Sequence, residues 1–571
     1  MMSDIQSGPK APKDPQKRRS SFYIMVDKIL EATSRWEGKP SQEFYLDEGR
    51  LSFDAQFVGG VEDENILNLL KSFKGFHKVV HSIGISLIAS DNIGNIDFIF
   101  QNYGRIDKYG GGTQIKIPCK KDGSEIILNI DDYKWLKDEH VVGKMAFEFE
   151  KPGLTAKATV KIYLNDGYDV PEISIDSPVE FGSDNYNLMI SKSILNLGNN
   201  KRLKSVIDKA KRGDDINIAY IGGSITQGAG AKPIHTNCYA YKSYLKFKEM
   251  FENDGADNVH FIKAGVGGTP SELGLVRYDR DILRDGNVKP DIVVVEFAVN
   301  DEGDETKGKC YESLILNILS AENNPAVILL FSVFANDWNL QDRLSPVGSL
   351  YDLPMVSLSD ALVNQFKLTK EEGNVITKRQ YFYDIYHPTN DGHTIMADCL
   401  SYLFEQIEKN YCNDKDISLD KEPVIGNEFI GIHLIDREDN TCNALIEQGG
   451  FKEVDKELQY VEIDDNPSGT AQFPYNWMHT PESGDESFCL KISSRSLILV
   501  FKDSGSLDFG KANVFVDGNL KLTVDPREVG WTHCNTAILY QENSISEHKI
   551  EIKMECDSKN KYFTILGFGY N

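Results

Sequence analysis

The stretch Asn217-Ile218-Ala219-Tyr220-Ile221-Gly222-Gly223-Ser224-Ile225-Thr226-Gln227-Gly228 decides the fold. Its first half is a short apolar run, the signature of a strand buried in a parallel sheet. Its second half is a glycine turn carrying a hydroxyl; glycine lets the backbone turn sharply and lets other groups approach closely. A serine at the carboxyl end of such a strand stands where open α/β sheets gather their reactive groups.

Outward from this stretch, strand-like and helical runs alternate. Strands are expected over 216–221, 259–262, 291–297, 326–334 and 355–358, and helices over 239–251, 311–320, 360–366 and 390–408. That alternation predicts βαβ units around a parallel sheet. Residues 199–213 read as a helix with Leu203, Val206, Ile207 and Ala210 on one face. Further upstream, one amphipathic helix is expected over 22–39. Strands are then expected over 43–53, 84–90, 96–101, 113–117, 126–130, 144–149 and 155–164, separated by turns such as Asp122-Gly123 and Asn165-Asp166-Gly167. Short, evenly spaced strands of this kind predict a β-sandwich. After a polar linker beyond Asn413, strands return at 497–502, 512–516, 520–524, 549–553 and 563–568, with an Asp517-Gly518 hairpin signal. The expected organisation is a disordered leader (1–21), a β-rich domain (22–198), an α/β catalytic domain (199–413) and a second β-sandwich (425–571).

A chain of 571 residues is too long for one core. Its net charge of −25, from 62 basic and 87 acidic residues, argues against a nucleic-acid or anionic-membrane partner, since phosphates need a basic face. The polar start is followed by no apolar segment of signal-peptide or membrane-span type. The nine cysteines lack paired spacing and read as reduced core thiols, which points to the cytoplasm.

The chemistry starts from Ser224, whose hydroxyl needs a base to become a useful nucleophile. His387, in Asp384-Ile385-Tyr386-His387-Pro388, is the expected base. Asp384, three residues earlier, is within reach of the other imidazole nitrogen, where it would set the tautomer and stabilise the imidazolium. The setting of Ser224 is Gly-Gly-Ser-Ile-Thr, not G-x-S-x-G, so the nucleophile elbow of α/β-hydrolases is absent. Donors for a developing oxyanion are expected from the N–H of Ser224, the N–H of Gly268 in the loop after the second strand, and the amide of Asn300 after the third.

These residues resemble the SGNH or GDSL hydrolases, whose four blocks are a Ser, a Gly, an Asn and a D-x-x-H pair. Here the blocks are Ser224, Gly268, Asn300, and Asp384 with His387. Gly-Gly-Ser-Ile-Thr departs from the literal Gly-Asp-Ser-Leu, a departure shared with carbohydrate-acting branches. The text over 222–231, 264–281 and 339–357 is similar to bacterial acetyl xylan esterase-type members. The resemblance implies a flavodoxin-like three-layer α/β/α domain with flanking β-domains. It also implies a serine esterase that removes acetyl groups from hemicellulose-derived oligosaccharides of xylan or mannan type. No cofactor and no metal are needed, and a homo-oligomer stays open. A lipid esterase or thioesterase using the same residues is the rival reading, and a carbohydrate-binding protein without catalysis is the second.

Other residues read as structural. His393 is expected to cap or pack the last helix. Arg277, Tyr278 and Arg280, candidates to line the site, are expected rather in surface salt bridges, and Trp477 and Trp531, candidates for a sugar-stacking face, rather as core aromatics. His235 and Cys238 form half a zinc spacing without a second pair, and Gly222 to Gly230 lacks the pattern of a phosphate loop.

Overall fold

A computed structural model of the chain describes residues 10, 13, 18–33, 38–173, 176–438 and 444–571. The chain divides into two compact units, one of Met1–Val179 with Ile376–Thr389 and one of Glu180–Val375 with Asn390–Asn571. Most of the expected leader falls outside the described residues; its described end includes Arg19, which donates to the Leu164 carbonyl at 2.8 Å. No described helix is long and apolar enough to cross a membrane.

The described residues of the first unit form eight strands: β1 (Ser21–Glu31), β2 (Ser41–Tyr45), β3 (Val80–Ile88), β4 (Asp97–Gly104), β5 (Gln114–Pro118), β6 (Ile126–Asn129), β7 (Glu139–Glu148) and β8 (Thr155–Leu164). They form two antiparallel sheets, ordered β1-β8-β3-β6 and β2-β7-β4-β5. Phe22 and Met25 of β1, Ile162 of β8, Phe98 and Phe100 of β4 and Phe147 of β7 meet in one apolar core. Helices Arg50–Phe57, Glu64–Leu70 and Phe73–Val79 add Leu51, Leu67 and Phe76 to that core.

Two expectations are corrected here. Residues 22–31 form strand β1, not a helix; residues 34–37 of that expected helix lie outside the described residues. Register shifts between Tyr23 and Met25 and between Met25 and Lys28 break the two-residue alternation, so the apolar positions mimic a helical spacing. The strand expected over 43–53 ends at Tyr45, and helix Arg50–Phe57 follows Gly49 in the left-handed region at φ 84°.

In the second unit six strands form one sheet, ordered β11-β10-β12-β13-β14-β9. They are β9 (Ile194–Asn196), β10 (Ile216–Gly222), β11 (Val259–Gly265), β12 (Ile292–Glu296), β13 (Ala326–Phe331) and β14 (Met355–Ser357). All neighbours run parallel except β9 against β14. Apart from the edge strand β9, the order is that of a flavodoxin-like sheet, whose switch point falls between β10 and β12. Helices Lys201–Arg212, Tyr239–Phe251 and Asn390–Lys409 touch one another in one helical layer. Against the other face lie Leu273 and Leu275 of helix Ser271–Val276 and Leu314 and Ile315 of helix Lys309–Leu319.

The same apolar cluster takes in Phe429, Phe473, Ile498, Val500 and Leu566 from the carboxy-terminal part of the chain. There an eight-stranded sheet is built from β15 (His433–Ile435), β16 (Leu445–Glu447), β19 (Trp477–His479), β20 (Phe488–Asp503), β21 (Ala512–Val516), β22 (Asn519–Val524), β23 (His533–Met554) and β24 (Phe563–Tyr570). β17 (Tyr460–Val461) and β18 (Thr470–Ala471) pair separately. The α/β layer and this sheet therefore share a hydrophobic core.

Candidate active site

Ser224 opens the one-turn helix Ser224–Gln227 directly after β10. Two of its neighbours are glycine for steric reasons. A Cβ on Gly223 would lie 2.1 Å from Asn300 Oδ1, so the Asn300 side chain rests against the residue before the serine. A Cβ on Gly265, at the end of β11, would lie 1.9 Å from the Gln227 backbone nitrogen. The ends of β10, β11 and β12 thus bring Ser224, the Gly268 loop and Asn300 together at the switch point of the sheet.

The Gly267–Gly268 turn is held from several sides. Gly268 has φ +74°, a left-handed conformation that suits glycine. Gly267 N–H donates to Gln227 Oε1 at 2.8 Å, and its carbonyl accepts from Gln459 Nε2 at 2.8 Å. His533 Nε2–H donates to the Gly268 carbonyl at 2.8 Å. Burial pushes the His533 imidazole pKa down, which favours the neutral ring, and the carbonyl partner selects the Nε2–H tautomer. Both carbonyls of the turn are thereby committed to the carboxy-terminal region.

Behind the turn lies a buried carboxyl cluster. Asp301 accepts from Ser271 N and Ser271 Oγ, both at 2.8 Å, and so ties the loop after Gly268 to the loop of Asn300. Glu272 accepts from Thr306 N at 3.0 Å and from Thr536 Oγ1 at 2.8 Å. Burial, with a hydrogen bond to Asp304, holds the Glu272 carboxyl well above the usual carboxylate range. Asp301 is pushed up to about 8 by burial and by the Asp304 charge.

Asp384 and His387 lie in the segment that clusters with the amino-terminal sheets. Asp384 Oδ1 accepts from the backbone N–H groups of Tyr386 and His387, each at 2.8 Å, and Oδ2 meets His387 Nδ1 at 2.8 Å. The turn is closed by Tyr383 N to His387 O, 2.7 Å, and Thr389 N to Tyr381 O, 2.7 Å. Burial works against the Asp384 charge, but the side chain is 35 % exposed. The His387 imidazole and the two N–H donors prevail and hold the carboxyl well below its ordinary range. The arrangement orients the His387 ring with Nδ1 on the carboxylate.

Residues 220–395 match the model of the GDSL-like Lipase/Acylhydrolase family, a span that contains Ser224, Gly268, Asn300, Asp384 and His387. The chain carries a GDSL-like lipase/acylhydrolase domain. Among solved structures, a two-domain esterase (CEX) active on acetylated mannans is 26% identical, with a TM-score of 0.57. The match covers 67% of this chain and 98% of that one. The same esterase co-crystallised with mannopentaose matches at 26% identity and a TM-score of 0.56, over 67% of this chain and 97% of that one. No curated protein matches the chain.

Around the GDSL-like domain, several expected roles are revised. Arg277 is no surface residue: it is 0 % exposed. Its Nη1 donates to the Ala264 carbonyl at 2.7 Å and its Nη2 to the Gly222 carbonyl at 2.9 Å, so it clamps the ends of β10 and β11. Tyr278 is buried as well, and Arg280 is half-buried, over the Phe473 ring at 4.4 Å. Trp477 is a core aromatic as expected, but Trp531 is 44 % exposed and lies against Gly268, where a Cβ would meet its ring at 2.8 Å. His393 packs in the last helix as expected, accepting from Tyr239 N at 3.2 Å and donating to the Ala229 carbonyl at 3.1 Å. His235 faces Glu462 at 3.7 Å, and Cys238 is buried.

No signal in the sequence points to the supports Gln227, Gln459 and His533, and Arg277 reads there as a surface residue. Gln227, inside the deciding stretch, and His533, two residues after Trp531, lay beside signals already in hand. Gln459 carried none.

Proposed function

We propose that the protein is a serine esterase that removes O-acetyl groups from hemicellulose-derived oligosaccharides, of mannan or xylan type. His387 takes the Ser224 proton, and Ser224 attacks the ester carbonyl. The oxyanion rests on the N–H groups of Ser224 and Gly268 and on the Asn300 amide. His387 then protonates the departing sugar hydroxyl, and water repeats the two steps on the acetyl-enzyme.

The observation that carries this reading is the convergence at the switch point: Asn300 against Gly223, and the Gly267–Gly268 turn with both carbonyls tied back. A preorganised donor set of this kind is what acyl transfer requires. The half-exposed Trp531 beside Gly268 supports a sugar substrate, because an indole face stacks on an apolar sugar face. The likeness to an esterase active on acetylated mannans supports the acetyl group and favours mannan. The eight described cysteines are free thiols, which supports a reducing, cytoplasmic compartment and so a short oligosaccharide over insoluble polymer.

Incubating the full chain with acetylated manno- and xylo-oligosaccharides tests this, with mass spectrometry reading the product. The expected result is stepwise loss of acetyl mass with Ser224 intact and none with Ser224→Ala. A preference for aryl octanoate over aryl acetate would instead assign a lipid or thioester substrate. Binding of oligosaccharide without any mass loss would assign a carbohydrate-binding role.

A further inference from the structure

The loop that carries Asp384 and His387 is held by amino-terminal residues that lie outside the matched hydrolase region. Lys28 of β1 donates its ammonium to the Tyr383 carbonyl, also reaches the Phe382 carbonyl at 3.5 Å, and sits 4.5 Å over the Tyr383 ring. The second register shift of β1 ends at Lys28, and Asp27 just before it has φ 49°. A bulge re-aims a side chain out of the strand's regular alternation, and bulges gather beside functional sites. On the other side Phe44 of β2 stacks on Tyr383, with centroids 5.3 Å apart, and the Arg50 guanidinium lies 5.3 Å over the Tyr386 ring. Further back Thr377 Oγ1 donates to Asp176 at 2.8 Å, and Gln380 Nε2 to the Ser177 carbonyl at 2.7 Å.

The charges around this point are Lys28 on β1, Asp54 and Arg50 on helix Arg50–Phe57, and Asp384 and His387 on the loop; Tyr383 and Tyr386 complete the titratable set. Lys28 is the cation that faces both Asp54 and Asp384. Burial pushes the Asp54 carboxyl up to about 7, with the Lys28 ammonium opposing.

We propose that Lys28, balanced by Asp54, is the positioning residue for the Asp384–His387 pair. This rests on the reading of His387 as general base. The ammonium fixes the carbonyls on the amino-terminal side of Asp384 and stands as a counter-charge facing Asp54 and Asp384. Burial pushes the Lys28 ammonium down to about 8, with Asp54 and Asp384 opposing. Above that pH the clamp loses its charge.

The test uses the full chain with Lys28→Met and Lys28→Arg, aryl acetate as substrate, and two readouts. In kinetics, Lys28→Met is expected to lower kcat by ~10²-fold, the scale of a small misplacement of a catalytic group, with KM little changed. Lys28→Arg is expected to restore most of kcat and to hold it at pH values above about 8, where the intact chain declines, because a guanidinium stays charged there. In hydrogen exchange, the amides of Tyr386 and His387 are expected to exchange at least tenfold faster in Lys28→Met, while β3 and β8 keep their protection.

Unchanged kcat, pH profile and exchange in Lys28→Met overturn the proposal. So does loss of protection throughout the β-sheets without rescue by arginine, which would make Lys28 a folding residue only. If the intact chain hydrolyses no ester, the general-base reading fails. The exchange result then still decides whether Lys28 orders the loop.

Discussion

Arg277→Met probes the clamp beneath the serine. Methionine keeps an unbranched apolar stem but removes the guanidinium, and with it the donors to the Gly222 and Ala264 carbonyls at 2.9 and 2.7 Å. The Gly222 carbonyl keeps the Val266 N–H at 3.1 Å, so the main loss is at the Ala264 carbonyl, and a buried carbonyl left without a partner costs ~1–3 kcal/mol. The Asp281 carboxylate loses its 3.1 Å contact with Arg277 but keeps Arg280 at 2.6 Å, so its charge stays compensated. Against this stands the relief of no longer burying a guanidinium. The net expectation is ~1–3 kcal/mol of destabilisation. At ~2 °C per kcal/mol for a large domain, the unfolding midpoint of this unit falls by ~2–6 °C. The released carbonyls stand two residues before Ser224 and four before Gly268, so the serine and the glycine turn shift relative to each other, at a cost of ~10²-fold in kcat. Scanning calorimetry and aryl-acetate kinetics on the same preparation read both effects. A variant that melts within a degree of the parent and turns over at the same rate would show that the strand ends hold without the clamp, and the reasoning about Arg277 would be wrong.

Asn300→Ala removes a candidate oxyanion donor and is expected to lower kcat by ~10²–10³-fold with little change in KM, read on aryl acetate. Gly223→Ala places a methyl group where the Asn300 amide lies and is expected to impair kcat to a similar degree while far-UV circular dichroism stays unchanged. Trp531→Ala is expected to raise KM for acetylated oligosaccharide by ~3–10-fold, the value of one aromatic stacking contact, and to leave aryl-acetate hydrolysis near that of the parent. Asp301 has a folded pKa of about 8 against ~4 unfolded. The folded state therefore keeps a proton that the unfolded chain gives up, and the stability contributed by that proton is lost as pH rises from about 4 through about 8. Asp301→Asn is expected to flatten the decline in thermal midpoint over that window; an unaltered slope would place the titration elsewhere.

The βαβ order and the strand ends of the hydrolase region were legible because their signals are local. An apolar run followed by glycine and serine at Gly222–Ser224 says strand, turn and hydroxyl within a few residues, and Asp384 and His387 are three apart. Arg277 was not legible for the opposite reason. Its partners are two backbone carbonyls, at Gly222 and Ala264, which no side-chain pattern encodes, and Arg-Tyr-Asp-Arg-Asp reads as a surface. Gln459 and His533 reach the Gly268 turn from far along the chain, so only folding brings them there. Strand β1 was misread because its bulges give Phe22, Met25 and Leu30 a helix-like spacing, and the same bulges aim Lys28 at the loop of Asp384.

The central claim is that Ser224 is the nucleophile and His387 its base. Labelling with a fluorophosphonate, which traps an activated serine covalently, followed by peptide mass spectrometry tests it most directly. The account predicts one adduct, on the peptide containing Ser224, that is absent in Ser224→Ala and formed far more slowly in His387→Ala. An adduct on a different serine, or undiminished ester hydrolysis by Ser224→Ala, would contradict it.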